Sequence, residues 1–130
     1  TFLQECVHFA EEHGYVETML KRRRPIPDIH STTPNRRALA ERVAINSVVQ
    51  GSAADLIKLA MVDLQARITA GQAPAGLKML LQIHDELVFE CPAPVAAAAK
   101  ELIVTRMESA MTLRTPLKAD ASIGFTWFDE

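Results

Sequence analysis

Leu80-Leu81-Gln82-Ile83-His84-Asp85-Glu86-Leu87-Val88-Phe89-Glu90 sets apolar residues on both sides of a compact polar centre. The natural reading is two short strands meeting at a tight turn that carries the chemistry. Successive side chains of an extended strand point to opposite faces, so Asp85 and Glu86 can share a ligand only if the backbone bends between them. One carboxylate is then the better direct ligand. Hard cations such as Mg²⁺ take one or two protein carboxylates together with substrate phosphates, a role open to an acid at a strand tip with His84 beside it. A surface hairpin with solvated charges fits the same eleven residues, and the wider chain has to decide.

The 130 residues suit one domain able to bury roughly two-thirds of its unfolded surface. With 48% hydrophobic and 23% charged residues, the composition is that of an ordinary globular protein and excludes disorder. Cys6 and Cys91 form no CxxC or His-Cys cluster, so neither a disulfide framework nor a structural zinc site is expected, which fits a reducing cytoplasm. No apolar run approaches a bilayer-spanning length, and no signal-peptide pattern opens the chain, so no membrane partner is expected. Thr1 is not an initiator Met, and Phe2, Leu3, Cys6, Phe9 and Ala10 follow helical spacing with no capping stretch ahead of them. We expect a piece of a longer protein.

Net charge is −2, but the charges are segregated. Residues 1 to 20 hold four acids and no Lys or Arg, residues 21 to 42 hold seven basic and two acidic residues, and residues 43 to 130 hold seven basic and ten acidic ones. The middle segment is a local basic patch of the kind that phosphate contacts require.

Residues 1 to 13 read as the end of an amphipathic helix closed by Gly14. Tyr15 to Leu20 looks extended, and Pro25 and Pro27 stop any helix through Lys21-Arg22-Arg23-Arg24, so these four cations sit on a hairpin or loop. From Pro34 the pattern is helical, and Arg42, Asn46 and Gln50, four apart, form one polar line on a helix expected to be mostly buried. Amides there need partners, either inside the protein or in a ligand. Gly51 interrupts, and Ser52 with Asp55 reads as a new helix start whose buried face is Ala53, Ile57, Ala60, Met61, Leu64 and Ile68. That helix should end near Ala70, before a loop at 71 to 76 whose GxxxxG spacing lacks the Lys-Ser/Thr and preceding strand of a phosphate loop. Beyond the central hairpin, Val95 to Met111 is helical, and Leu117 to Ile123 reads as a last strand before the aromatic tail Phe125, Trp127 and Phe128. The expected fold class is α+β, a small antiparallel sheet with helices packed on one face.

Gly14-Tyr15-Val16-Glu17-Thr18, Arg22-Arg23-Arg24, Pro27-Asp28-Ile29, Ala40-Glu41-Arg42, Ile45-Asn46, Gln50-Gly51-Ser52-Ala53-Ala54-Asp55 and Gln82-Ile83-His84-Asp85-Glu86-Leu87-Val88, in that order, resemble the C-terminal part of a family A DNA polymerase of the bacterial type. Each piece alone is weak, but their collinearity over nearly the whole chain is specific. The resemblance implies that residues 1 to 30 are the end of the fingers with a basic hairpin, and that 31 to 130 are a palm portion with the metal-binding hairpin at 78 to 91. Departures are small: Ser52 for the usual Thr, Pro25 for a common aromatic, and Thr126 for the Asn expected before Trp127. The family's other catalytic Asp and its nucleotide-holding fingers helix have no counterpart here.

The activity implied by the resemblance is template-directed addition of deoxynucleotides to a primer 3′ end by two-metal phosphoryl transfer. Two metal ions about 3.5 to 4 Å apart clamp the attacking and leaving oxygens, which needs acids from at least two segments. Asp85 and Glu86 would be the catalytic, metal-holding pair, with Asp85 the direct ligand of Mg²⁺ and Glu86 an outer partner. His84 would lie at the primer terminus, Arg42, Asn46 and Gln50 would face the duplex minor groove, and Arg36 and Arg37 would lie near the template. Arg22 to Arg24 would add phosphate contacts. Partners would be primer-template DNA, deoxynucleoside triphosphates and the remainder of the polymerase chain, in the cytoplasm with the nucleoid. The isolated chain should be inactive. A non-catalytic DNA-binding module and a metal-dependent hydrolase built on Asp85, Glu86 and a His are the competing classes.

Overall fold

A computed structural model describes residues 1–126. It divides into two compact units, Thr1–Asp55 and Leu56–Glu130.

In the first unit α1 spans Phe2–His13, and Thr1 caps it through a capping box with Gln4, a cap that spacing alone did not suggest. Gly14 ends the helix at φ 78, a left-handed conformation that costs a residue without Cβ nothing. The chain then forms an antiparallel hairpin of β1 (Tyr15–Glu17) and β2 (Arg23–Pro25), pairing Val16 with Arg24 and Glu17 with Arg23. Pro25, which has no N–H to give a ladder, is tolerated because it ends a strand of a two-stranded ribbon. A 3-10 turn at Pro27–His30 leads to α2, Pro34–Thr69. The core here joins Ala10, Val16, Ile26, Ile29, Ala40 and Ala44. Ile26 and Ile29 are at most 2% exposed, and burying each contributes about 2 kcal/mol.

Two expectations about α2 are corrected. Helix does not stop at Gly51 and restart at Ser52, since one helix runs through both. The side chains that looked like a cap serve the hairpin instead: Ser52 Oγ accepts the Met19 N–H at 3.0 Å, and Asp55 Oδ2 accepts the Leu20 N–H at 3.2 Å. Gly51 is where the hairpin lies closest, because a Cβ there would fall 2.5 Å from Thr18 Cγ2. Nor is the first part of α2 mostly buried. Between Pro34 and Gln50 only Ala40, Ala44 and Ser47 are, since one narrow stripe is all that α1 and the hairpin need to cover.

In the second unit Ile57, Ala60 and Leu64 of α2 are buried, Met61 and Ile68 are half-buried, and Ala53, before the unit begins, is exposed. The antiparallel pair β3 (Lys78–Ile83) and β4 (Glu86–Glu90) comes next, with an irregularity between Met79 and Leu81 that leaves Leu80 without a partner. Such a bulge sharpens the local twist. After a 3-10 turn at Ala93–Val95, α3 covers Ala96–Glu108 and buries Ala99. Asp63 ties the two helices of this unit, receiving Arg67 Nε at 3.3 Å and Arg106 Nε at 2.5 Å.

The α+β class stands, as helices with two separate two-stranded antiparallel ribbons among the described residues. The strand expected at Leu117–Ile123 does not form. Its apolar alternation runs on through Ala121 and Ile123, but residues 120–123 are exposed, and the Ala119 N–H is taken by the Glu108 carboxylate at 2.9 Å rather than by a ladder. Trp127 and Phe128 of the aromatic tail lie outside the described residues. No described helix is long and apolar enough to cross a membrane.

Candidate functional site

Two constellations, one in each unit, carry the residues singled out by sequence. The first is the β3–β4 turn. Gln82 pairs with Leu87 and Ile83 with Glu86, so two residues, His84 and Asp85, close the hairpin. His84 sits at φ 55, a left-handed backbone that histidine enters more readily than most side chains. The Gln82 side-chain amide donates to the His84 carbonyl and pins the turn. Sequence reasoning gave Gln82 no role, and its place two residues before the turn was the available signal.

His84, Asp85 and Glu86 are all exposed, and none makes a side-chain hydrogen bond or ion pair with any described residue. Asp85 occupies the turn while Glu86 opens β4, so the bend required for neighbouring carboxylates to work together is present. An unpartnered pair of hard oxygen donors on a pinned turn suits a divalent cation. Among the described residues no three His, Cys, Asp or Glu side chains gather closely enough to hold a metal ion. The donor set therefore fits a metal shared with other carboxylates and with ligand phosphates.

The second constellation is the outer face of α2. Arg42, Asn46 and Gln50 are exposed on one line and make no side-chain contact of hydrogen-bond or ionic kind with any described residue. Among the described residues, then, neither amide is satisfied by backbone in a core, and both face outward. Arg36 is likewise exposed and unpaired among the described residues. Arg37 is engaged, with Glu11 at 3.4 Å and Glu41 at 3.6 Å, both weak surface pairs.

The basic hairpin is less available than four consecutive cations implied. Arg22 Nε donates to Asp55 Oδ1 at 2.6 Å and its terminal nitrogen to the Gly51 carbonyl at 3.2 Å. Asp55 is 1% exposed. Burial, the largest influence on it, favours the neutral acid, yet donation from Thr18, Arg22 and the Leu20 N–H together with the Arg22 charge holds its carboxyl below the ordinary range. Arg23 lies over the Tyr15 ring, 4.5 Å from its centre, and 3.6 Å from Glu17, which Lys21 also meets at 3.7 Å. Only Arg24 of the four points out unpaired among the described residues.

Comparison with known proteins converges on one family. The family model for DNA polymerase family A matches residues 1–129. DNA polymerase I of Streptococcus pneumoniae is 48% identical over 98% of this chain, and that of Bacillus caldotenax 47% over the same share. The chain spans only 14% of the length of either relative. Among solved structures, the polymerase domain of Pol1 from M. smegmatis, in complex with DNA primer-template and dNTP, superposes with a TM-score of 0.81 at 38% identity, covering 89% of this chain and 20% of that one. With its family model matched over nearly every residue and with these relatives at hand, the chain belongs to DNA polymerase family A.

Proposed function

We propose that this chain is the part of a template-directed DNA polymerase that brings the His84-Asp85-Glu86 turn and a duplex-facing helix to the reaction, nucleotide addition at a primer 3′ end. The observation that carries this is the state of Asp85: an exposed carboxylate, without a partner among the described residues, at the tip of a turn pinned by Gln82. Membership of DNA polymerase family A and the likeness to a domain bound to primer-template and dNTP support primer-template DNA and deoxynucleoside triphosphates as the substrates. Residues 1 to 30 then form the end of the fingers with the basic hairpin, and 31 to 130 the palm portion.

Asp85 would hold the metal, magnesium by its preference for carboxylate and phosphate oxygen, with Glu86 as outer partner. The ion's part is to stabilise charge developing on the transferring phosphate and on the attacking 3′ oxygen. His84 stands at the primer end. Arg42, Asn46 and Gln50 meet minor-groove acceptors that are nearly the same for every base pair, so they can test pair geometry without reading sequence, an indifference that a copying enzyme needs. Arg36 and Arg37 lie along the template, and Arg24 is the hairpin cation best placed for a phosphate. Bacterial relatives support a place in the cytoplasm with the nucleoid.

The test is Asp85→Asn in the full-length polymerase. A near-isosteric amide keeps the hairpin but cannot supply the charge that a metal needs, so nucleotide addition should be abolished while primer-template affinity stays within a few-fold. Retention of more than about a tenth of the parent kcat would remove Asp85 from the reaction.

A further inference from the structure

We infer that Arg22 is a positioning residue for the exposed Arg42–Asn46–Gln50 line, acting through Asp55 and the Gly51 carbonyl; this rests on the duplex-facing role proposed above for that line. Four residues of the hairpin turn are fastened to one turn of α2. Thr18 packs its methyl where Gly51 has no Cβ, Met19 gives its N–H to Ser52 Oγ, Leu20 gives its N–H to Asp55, and Arg22 spans Asp55 and the Gly51 carbonyl.

This fastening falls where the helix is weakest. Gly-Ser pairs are common kink points, and Gly51-Ser52 is such a pair within an otherwise continuous helix. Gln50, the last of the polar line, is the residue before it. Gly51 and Asp55 are four apart and share one side of the helix, whereas Gln50 is turned about 100° away, toward solvent. A planar guanidinium bridging a carboxylate and a carbonyl one helical turn apart braces the helix across that pair and fixes its rotation against the hairpin. A lysine in its place would keep the charge and lose the fork. The buried Asp55 thus has a purpose beyond holding the hairpin: it sets the direction in which Gln50 and, a turn earlier, Asn46 present their amides.

Mere structural support would also make Arg22 matter, so the experiment couples it to Gln50. In the full-length polymerase, single-turnover extension is measured from matched and mismatched primer ends for Arg22→Ala, Gln50→Ala and the double variant, with melting temperatures for each. Ile26→Val, which weakens the core of the same unit, is the stability control. Each single variant should change the matched-to-mismatched ratio by about three- to fivefold, and the double no further than Gln50→Ala alone. Ile26→Val should lower the melting temperature without moving the ratio. Additive effects, an unmoved ratio in Arg22→Ala, or an equal change from Ile26→Val would overturn the inference while leaving the role of Gln50 intact. An unmoved ratio in Gln50→Ala would instead remove the duplex-facing reading, and the inference with it. If Arg22→Ala does not fold, Arg22→Lys carries the same comparison, because it retains the cation but not the bridge.

Discussion

The γ2 methyl of Thr18 lies 2.5 Å from the point that a Cβ on Gly51 would occupy, so the hairpin turn rests on the one residue of α2 that leaves room for it. Replacing a helical glycine with alanine ordinarily stabilises by about 1 kcal/mol. Here it should do the opposite. Thr18 cannot turn its methyl aside cheaply, because its hydroxyl accepts the Arg22 N–H at 3.2 Å and also serves Asp55. Gly51→Ala should cost a net 1 to 3 kcal/mol, roughly the cost of overpacking a filled site. Adding Thr18→Ser, which removes the methyl and keeps the hydroxyl, should recover most of it. Denaturant unfolding of the four forms reads the effect, and a neutral or stabilising Gly51→Ala would show that the hairpin yields freely.

Acid should unfasten both units. Asp55 is held below the ordinary carboxylate value of 3.8, its burial outweighed by Thr18, Arg22 and the Leu20 N–H. Asp63 is lowered chiefly by the hydrogen bond from Arg106, against burial and with help from the Arg106 and Arg67 charges. Because the folded values lie below the unfolded ones, the unfolded chain binds these protons first. The stabilisation is complete above about pH 5 and drains away as pH falls through the ordinary value toward the lower folded ones. Unfolding midpoints measured from pH 7 down to 2 should drop, and Asp55→Asn or Asp63→Asn should flatten the fall. Identical slopes in parent and variants would place the acid sensitivity elsewhere.

Much of this was legible in the chain, and the misses share a cause. Local rules located α1 and its Gly14 stop, the hairpin or loop carrying four cations, the α2 end near Ala70 and a tight turn in the middle of residues 80 to 90, because each depends on neighbours in sequence. Gly51-Ser52-Ala53-Ala54-Asp55 misled because its residue types are those of a helix start, while their partners, Thr18 to Arg22, are some thirty residues away. The same distance hid that Arg22 is tied down. At Leu117–Ile123 the strand pattern was real, but a strand exists only where an edge accepts it, and local sequence does not contain that information. Arg42, Asn46 and Gln50 were found by spacing, yet only exposure decided between a core role and an outward one.

Asn46→Ala and Gln50→Ala in the full-length polymerase should weaken extension from the primer end and alter tolerance of mispaired ends, leaving metal-dependent chemistry in place. Losing one amide contact to a groove acceptor removes about 1 kcal/mol, a several-fold effect on each. Neither side chain has a partner to lose among the described residues, so the melting temperature should hardly change. Equal extension by variant and parent from matched and mismatched ends would count against minor-groove sensing.

Residues 1 to 130 alone should not polymerise, even with saturating Mg²⁺ and primer-template. Asp85 and Glu86 have no third ligand among the described residues, and the other described aspartates are spoken for or misplaced. Asp55 is bound to the hairpin, Asp63 to Arg67 and Arg106, Asp28 lies in a short 3-10 turn and Asp120 in an exposed segment after α3. Nor does the chain hold a segment recognisable as the helix that positions a triphosphate, so the orientation that turns a slow encounter into reaction is lost with the metal clamp. What it should retain is weak duplex binding through Arg36, Arg37 and Arg42. Arg37 can take part because its surface pairs with Glu11 and Glu41 are worth little and are readily exchanged for a phosphate. With about three phosphates neutralised, affinity should fall roughly 40-fold between 50 and 200 mM salt. Primer extension and salt-dependent binding by the purified fragment test both halves, with its Asp85→Asn form as the control for contaminating polymerase. Asp85-dependent incorporation would show that the chemistry needs fewer parts than a two-segment metal clamp, and salt-independent binding would show that these arginines do not meet phosphates.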